Sequence, residues 1–368
     1  MDFKNNINSI AFHSFEVVGK YIYFSAIDYN GLYKYNLETQ TNEFVSFFSD
    51  ELIEIRHLHG AVKCVDKKLY FAPMSGKNIS IYDIERENFK TVNVSEKIGD
   101  TSSKYYDILE HNDILIFIPT RSEYIITINS KTYEVNYWNE WTKYINVLQK
   151  QEIPLIKNGS FILDNKLYMP YCRDGIIIKV DLESFCSDAV RVCENKNGFV
   201  DAIFNNDQNE VLLLVNGEAS IVRYKLDNGQ VDEYKSKFDM GGIKFPYQQM
   251  FDIGDKILIL NYRQEYSIIY EKSTNLFKIF NIEDYNSEYL REWDAYYYAA
   301  KKLSDDKILI ISTGDYHILT IDYKLNITDF FYITDDRIMA KILKKTRKTL
   351  IKEEECDLNN YLEYIKEG

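Results

Sequence analysis

One phrase recurs seven times along this chain of 368 residues, and its spacing limits the available folds more than any other feature. Each copy contains a turn, an alternating apolar run, a short polar loop, a second run closed by Asp or Asn, and another turn. It reads GKYIYFSAIDYNGLYKYNLETQ from Gly19 and DKKLYFAPMSGKNISIYDIERE from Asp66, and returns from Asn112, Asp164, Asn209, Gly254 and Asp305. Anchored just before the first apolar run, the copies begin at Lys20, Lys68, Asp113, Lys166, Glu210, Lys256 and Lys307, 44 to 53 residues apart. Leucine-rich and ankyrin repeats are shorter, and runs of period 2 exclude a helical solenoid.

That period is the length of a four-stranded blade, so the expected fold is all-β, a seven-bladed β-propeller over residues 1–334. In the second copy the strands are expected near Gly60–Val65, Leu69–Pro73, Ile79–Ile84 and Phe89–Val94. The 31 Tyr and 21 Phe suit a pleated, half-buried surface. Asn36, Asp83, Asn129, Asp181, Asp227 and Asp322 close the third strands, where their side chains are expected to accept backbone N–H bonds in the following turn. Because each copy holds its own four strands, closure of the ring needs no strand borrowed from the far terminus.

The segment IYDIERENFKTV, from Ile81, resembles the end of a kelch unit, and the pattern over residues 10–333 is similar to degenerate kelch-like and WD40-like propellers, including those of low-GC Gram-positive bacteria. No copy carries the Gly-Gly pair of kelch or the Gly-His and Trp-Asp signatures of WD40. The resemblance therefore implies a fold and not an activity. Two stretches depart from the repeat: one from Trp138 to about Lys157, with helical spacing in Trp141, Ile145 and Leu148, and one over Ile282–Ala295. Beyond Thr334 the pattern becomes helical. Residues 335–368 are expected to form a helical tail packed on the propeller, its basic stretch Asp335–Lys352 facing an acidic body.

The formal charge of −13 argues against nucleic acid or an anionic membrane as partner. The first residues lack a basic segment followed by an apolar core, and no apolar run approaches the ~20 residues of a membrane helix. A cytoplasmic protein without membrane insertion is expected. Cys64, Cys172, Cys186, Cys193 and Cys356 are scattered without CxxC spacing and read as reduced thiols. No GxSxG, HExxH, P-loop or GxGxxG motif is present, and no cofactor is expected. His57 and His59, at i and i+2, would face one side of a strand and could share a metal. No third ligand is apparent, so an ordinary polar channel entrance is the expectation and no metal is assigned.

Propeller geometry then sorts distant residues onto one face, because the loops between second and third strands emerge beside the links between blades. Lys77, Arg121, Arg173 and Arg263 gather on that rim with Tyr29, Tyr124, Tyr171, Tyr262 and Tyr316. Arginine pairs with carboxylates and phosphates, and aromatic faces stack on sugars. Acidic neighbours such as Asp28, Glu123 and Asp174 offset part of that field. The expected function is a non-catalytic propeller that binds a carbohydrate, peptide or protein, anionic ones included, through these residues and the two histidines. The alternative is a carbohydrate-active lyase or hydrolase with its site at the channel mouth.

Overall fold

A computed structural model describes residues 9–99, 102–145, 156–194, 197–243, 245–282, 295–313 and 316–335. Among these residues twenty-eight strands form seven four-stranded antiparallel sheets, and in every sheet the strands lie side by side in chain order. This is a seven-bladed β-propeller. The second blade runs His59–Val65, Lys68–Pro73, Asn78–Asp83 and Asn88–Asn93, each strand within about a residue of its expected position.

The first strand of each blade borders the axis, as contacts between the first strands of neighbouring blades show. These inner strands are Phe15–Val18, His59–Val65, Tyr105–His111, Phe161–Leu163, Phe199–Asn205, Tyr247–Asp252 and Tyr297–Ser304. Second strands are sandwiched between blades, which explains their unbroken apolar runs: Lys256–Asn261 and Lys307–Ser312 are buried at every position after the first. Fourth strands lie at the perimeter and alternate between exposed and half-buried residues, as in Thr41–Ser46 and Val231–Lys235.

Local turn chemistry follows the repeat. Asp66-Lys67 and Asp164-Asn165 adopt left-handed backbone pairs between the first and second strands, as a tight two-residue hairpin requires. After the third strands, the side chains of Asn36, Asp83, Asn129, Asp181 and Asp322 accept N–H bonds from the turns. In the fifth blade Asn228, next to Asp227, accepts from Gln230 N–H instead.

The last and first blades close the ring face to face. Leu309, Ile311 and Ile318 pack on Phe12, Phe15, Phe24 and Tyr33, with Ile333 buried among them. Ile10 N–H donates to Ile333 O at 2.8 Å, and Ser9 bridges Thr334. The Asp335 carboxylate accepts from the hydroxyls of Tyr29 and Tyr33, fixing the chain as it leaves the seventh blade.

In the first irregular stretch a 3-10 helix spans Glu140–Tyr144 and buries Trp141 between the third and fourth blades. Leu148, the stretch 283–294 and the tail beyond Asp335 lie outside the described residues. No helix among the described residues is long and apolar enough to cross a membrane.

Truncating Ile311→Ala opens a cavity in the closing interface, with an expected cost of about 2–5 kcal/mol. Chemical denaturation checks this. A loss below about 1 kcal/mol would show that closure does not depend on this packing.

Candidate ligand site at the channel mouth

A chain of backbone hydrogen bonds links the second-to-third-strand loops to the interblade links. His57 N–H donates to Ile27 O and Ser75 N–H to His57 O; Lys104 N–H donates to Met74 O and Thr120 N–H to Lys104 O. Similar bonds join Phe199 to Tyr171, Asn216 to Gly198, Tyr262 to Pro246, Tyr296 to Tyr262 and Thr313 to Tyr296. Loops and links thus form one face, as the repeat implies, and the inner strands start there.

Close approach at this end has its own sequence requirement. A Cβ on Gly60 would lie 2.1 Å from Tyr105 O of the next blade, a distance no other residue tolerates. Gly60 is also the extra residue of a β-bulge. Bulges recur at the same level, leaving Tyr106, Val200 and Gln248 unpaired in their inner strands. A bulge re-aims the side chain it carries. That is the local reason Tyr106 enters the channel mouth rather than an interblade face.

Around the axis the mouth is aromatic and cationic. His13 Nε2 lies 2.8 Å from His57 Nδ1, and the His13 ring meets Tyr106 edge-on at 5.7 Å. Burial first, then repulsion by His57, lowers the His13 pKa to about 3, so this imidazole is neutral at pH 7. Tyr106 is pushed up to about 12 by burial, and both Tyr262 of the sixth blade and Arg121 of its own act on it electrostatically. Tyr262 in turn carries the Lys157 ammonium 4.4 Å from its ring centroid and the Arg263 guanidinium at 5.7 Å. Phe245 closes the other side of Lys157 at 5.2 Å. Burial, with Arg263 repulsion added, lowers the Lys157 pKa to about 8, against the opposing pull of Cys172 and Asp201. The Nε–H groups of Arg121 and Arg263 are both buried without a hydrogen-bond partner among the described residues.

A layer of carboxylates also faces the axis. Asp201 accepts from Met250 N–H at 2.5 Å and from Ala202 N–H at 2.9 Å. Burial raises its pKa to about 7; the two N–H donors oppose this, Asp107 adds to it, and Lys157 lowers it slightly. Burial also raises Asp107, against attraction from Lys301 and Lys63. Lys301 pairs with Glu16 at 2.6 Å and donates to Phe15 O, tying the seventh blade to the first.

The rim expected from sequence is sorted by these contacts. Arg121, Arg263, Tyr262 and His57 stand at the mouth, half-buried. Arg173 and Tyr316 are half-buried in their loops, and Lys77 is exposed beyond them. Three residues are unavailable there. Tyr29 and Tyr171 are almost fully buried and pack in interblade cores. His59 is also buried, between Ser25 Oγ at 3.1 Å and Ser80 Oγ at 3.3 Å, against Phe48. The i, i+2 relation fails because His57 has φ 51°, a left-handed residue ahead of the strand, so strand alternation does not apply to it. Among the described residues no three His, Cys, Asp or Glu side chains converge as a metal site. Sequence reasoning missed His13, Tyr106, Lys157 and Asp201. They sit in links or inner strands, and only the bulges and the link path decide which way they face. Two surface cavities of about 210 Å³ lie elsewhere, one by Gly217–Met240 and one lined by Glu210, Arg223, Tyr270 and Lys272.

No protein-family model and no curated protein matches the chain. Solved structures do, in 1118 chains, a breadth that marks a widely reused fold. One is Hsv2 of Kluyveromyces lactis, with 10% identity, TM-score 0.53, and coverage of 88% of this chain and 100% of that one. A second is the extracellular domain of the putative hybrid two component system BT4673 of B. thetaiotaomicron, at 14% identity and TM-score 0.60. It covers 86% of this chain and 38% of that one. A third belongs to a Mitotic Checkpoint Complex, at 10% identity and TM-score 0.55, covering 89% and 90%. At these identities the likeness is one of fold.

Buried His59 and Asp201 give opposite pH signatures. Burial lowers the His59 pKa to about 3, so its stability contribution is complete above the unfolded value of 6.5 and is lost as pH falls toward 3. The raised Asp201 contributes fully below the unfolded value of 3.8 and loses that contribution as pH rises through about 7. Each site changes the slope of stability by at most about 1.4 kcal/mol per pH unit. Urea midpoints from pH 3 to 9 are expected to rise less with pH on the acid side in His59→Gln than in the wild type, and to rise more between pH 4 and 7 in Asp201→Asn. Parallel curves for wild type and variant would contradict the assignment.

Proposed function

We propose that this propeller is a non-catalytic binding protein that receives its ligand at the channel mouth of the loop-rich face. The observation that carries the reading is the convergence there of Tyr106, Tyr262, Arg121, Arg263 and Lys157 from the third, fourth and sixth blades. Binding sites typically combine aromatic surface with a few convergent polar groups in a concavity. Arg173, Lys77 and Tyr316, set further out, would meet the periphery of a larger ligand such as a peptide, carbohydrate or protein loop.

An enzyme would instead need a carboxylate presented to substrate. Asp201 has a suitable pKa, but its oxygens are taken by two backbone N–H groups and it is 5% exposed. That arrangement favours a structural carboxylate and a binding site above it. The checkpoint-complex neighbour, a propeller within an assembly, is compatible with a binding role.

Saturation-transfer NMR against neutral and acidic oligosaccharides and short peptides tests the proposal. Tyr262→Ser and Tyr106→Ser are expected to abolish transfer to any binder found, while Lys278→Ala on the perimeter leaves it intact. Binders indifferent to both tyrosines would overturn the reading.

A further inference from the structure

We propose that the channel mouth is a seat for a compact oxyanion carrying two or more negative charges, such as a phosphate ester or a di- or tricarboxylate, gripped by Arg121, Lys157 and Arg263. This deepens the binding reading above and rests on it.

Three independent features point to such a ligand. First, the cations come from separate parts of the ring: Arg121 follows the second strand of the third blade, Lys157 lies in the link to the fourth, and Arg263 follows the second strand of the sixth. Tyr106 and Tyr262 connect them, for Tyr106 feels both Arg121 and Tyr262, and Tyr262 contacts both Lys157 and Arg263. Separate loops therefore deliver Lys157 and Arg263 to one ring, with Arg121 on the same face of the propeller.

Second, two of the three cations keep a donor unspent among the described residues. Arg121 Nε and Arg263 Nε are buried there without an acceptor, although buried polar groups are nearly always satisfied. A nearby cation with an acceptor shows the contrast: Lys104 donates to Gly76 O at 2.9 Å. Arg56, whose Nε is buried without an acceptor among the described residues, pairs with Asp28 through Nη2 at 3.0 Å, so an orphaned Nε does not by itself mark an unpaired guanidinium. An anion with several oxygens supplies what the two guanidinium groups lack, since Arg binds carboxylate and phosphate through paired N–H bonds.

Third, the neighbouring carboxylate does not neutralise the cluster. Asp201 is the acidic group acting on Lys157, and each of its oxygens accepts from a backbone N–H, while Asp107 helps burial raise its pKa. Among the described residues, the groups facing Lys157 are thus Arg263, Asp201, the Cys172 thiol, and the rings of Phe245 and Tyr262. A singly charged ligand leaves most of this positive charge uncompensated, whereas a multiply charged one matches it.

The test is calorimetric titration of the full chain with pyrophosphate, citrate, inorganic phosphate and, as a singly charged control, acetate, at low ionic strength. Pyrophosphate and citrate are expected to bind, and acetate is not. Arg121→Gln and Arg263→Gln are each expected to weaken binding at least about tenfold, the loss of one charge-assisted pair. Binding is expected to weaken as pH rises past 8 in the wild type, and this dependence is expected to vanish in Lys157→Met. Thermal unfolding of each variant shows whether it folds, and Lys278→Ala on the perimeter reports any non-specific charge effect. Failure of pyrophosphate, citrate and phosphate alike to bind overturns the inference, as does binding unchanged in all three mouth variants. A neutral ligand that binds through Tyr106 and Tyr262, with no oxyanion bound, would overturn this inference and leave the broader binding reading standing.

Discussion

Every distance across the channel depends on the packing of the seventh blade against the first. A ring of separate sheets closes only if its end blades pack together, and among the described residues each blade is built from four consecutive strands. The hydrogen bond from Ile10 to Ile333 contributes about 0.5–1.5 kcal/mol. Each fully buried side chain at the seam, among them Phe12, Phe15, Leu309 and Ile311, contributes about 1.5–3 kcal/mol. Apolar burial therefore outweighs the hydrogen bonds at the seam. The polar contacts at Asp335, Thr334 and Lys301 set the register in which the two faces meet. Relaxing the seam would part Lys301 of the seventh blade from Glu16 of the first, and with them one side of the channel.

The fold was legible because its signal is redundant. Seven alternating runs at similar spacing survive local irregularity, and one misread copy would not alter the conclusion. The site was legible only where the repeat fixes a residue's position. Arg121 and Arg263 each occupy the second place after the second strand, and both stand at the mouth. Tyr29 and Tyr171 belong to the same loops but turn inward between blades, because large rings there bury more area than on the rim. His59 was misread for a related reason. Its apparent pairing with His57 assumes an extended chain, and the left-handed backbone of His57 breaks it. Tyr106 could not be read at all, since a one-residue bulge reverses the face a strand residue adopts and leaves no mark in the pattern of apolar residues.

The channel also resolves a tension in the composition. A chain of −13 carries its acidic groups over the perimeter, many paired with lysines across strands, as in Lys34–Glu43 and Lys179–Asp188. Such exposed pairs add little stability. The axial charges differ because the surrounding blades exclude water, so each interaction there is stronger than on the perimeter. Asp107, Lys63, Lys301 and Glu16 come from four blades and offset one another. Among the described residues, the Lys157 and Arg263 ammonium and guanidinium groups above them share Tyr262 rather than a carboxylate pair of this kind.

Holding Lys157 beside Arg263 under two aromatic rings is unfavourable in the free protein. Desolvation and repulsion together depress the lysine, and cation–π contact with Tyr262 and Phe245 returns only about 0.5–2 kcal/mol. Nothing in the propeller requires these residues, since other blades complete the same turn with Gly217 and Ser75 at the place of Arg121 and Arg263. Folding alone would be served as well by small neutral residues at all seven positions. A local arrangement that opposes stability without helping the fold is what the proposed oxyanion seat requires, since a ligand of opposite charge would offset the cost of assembling it.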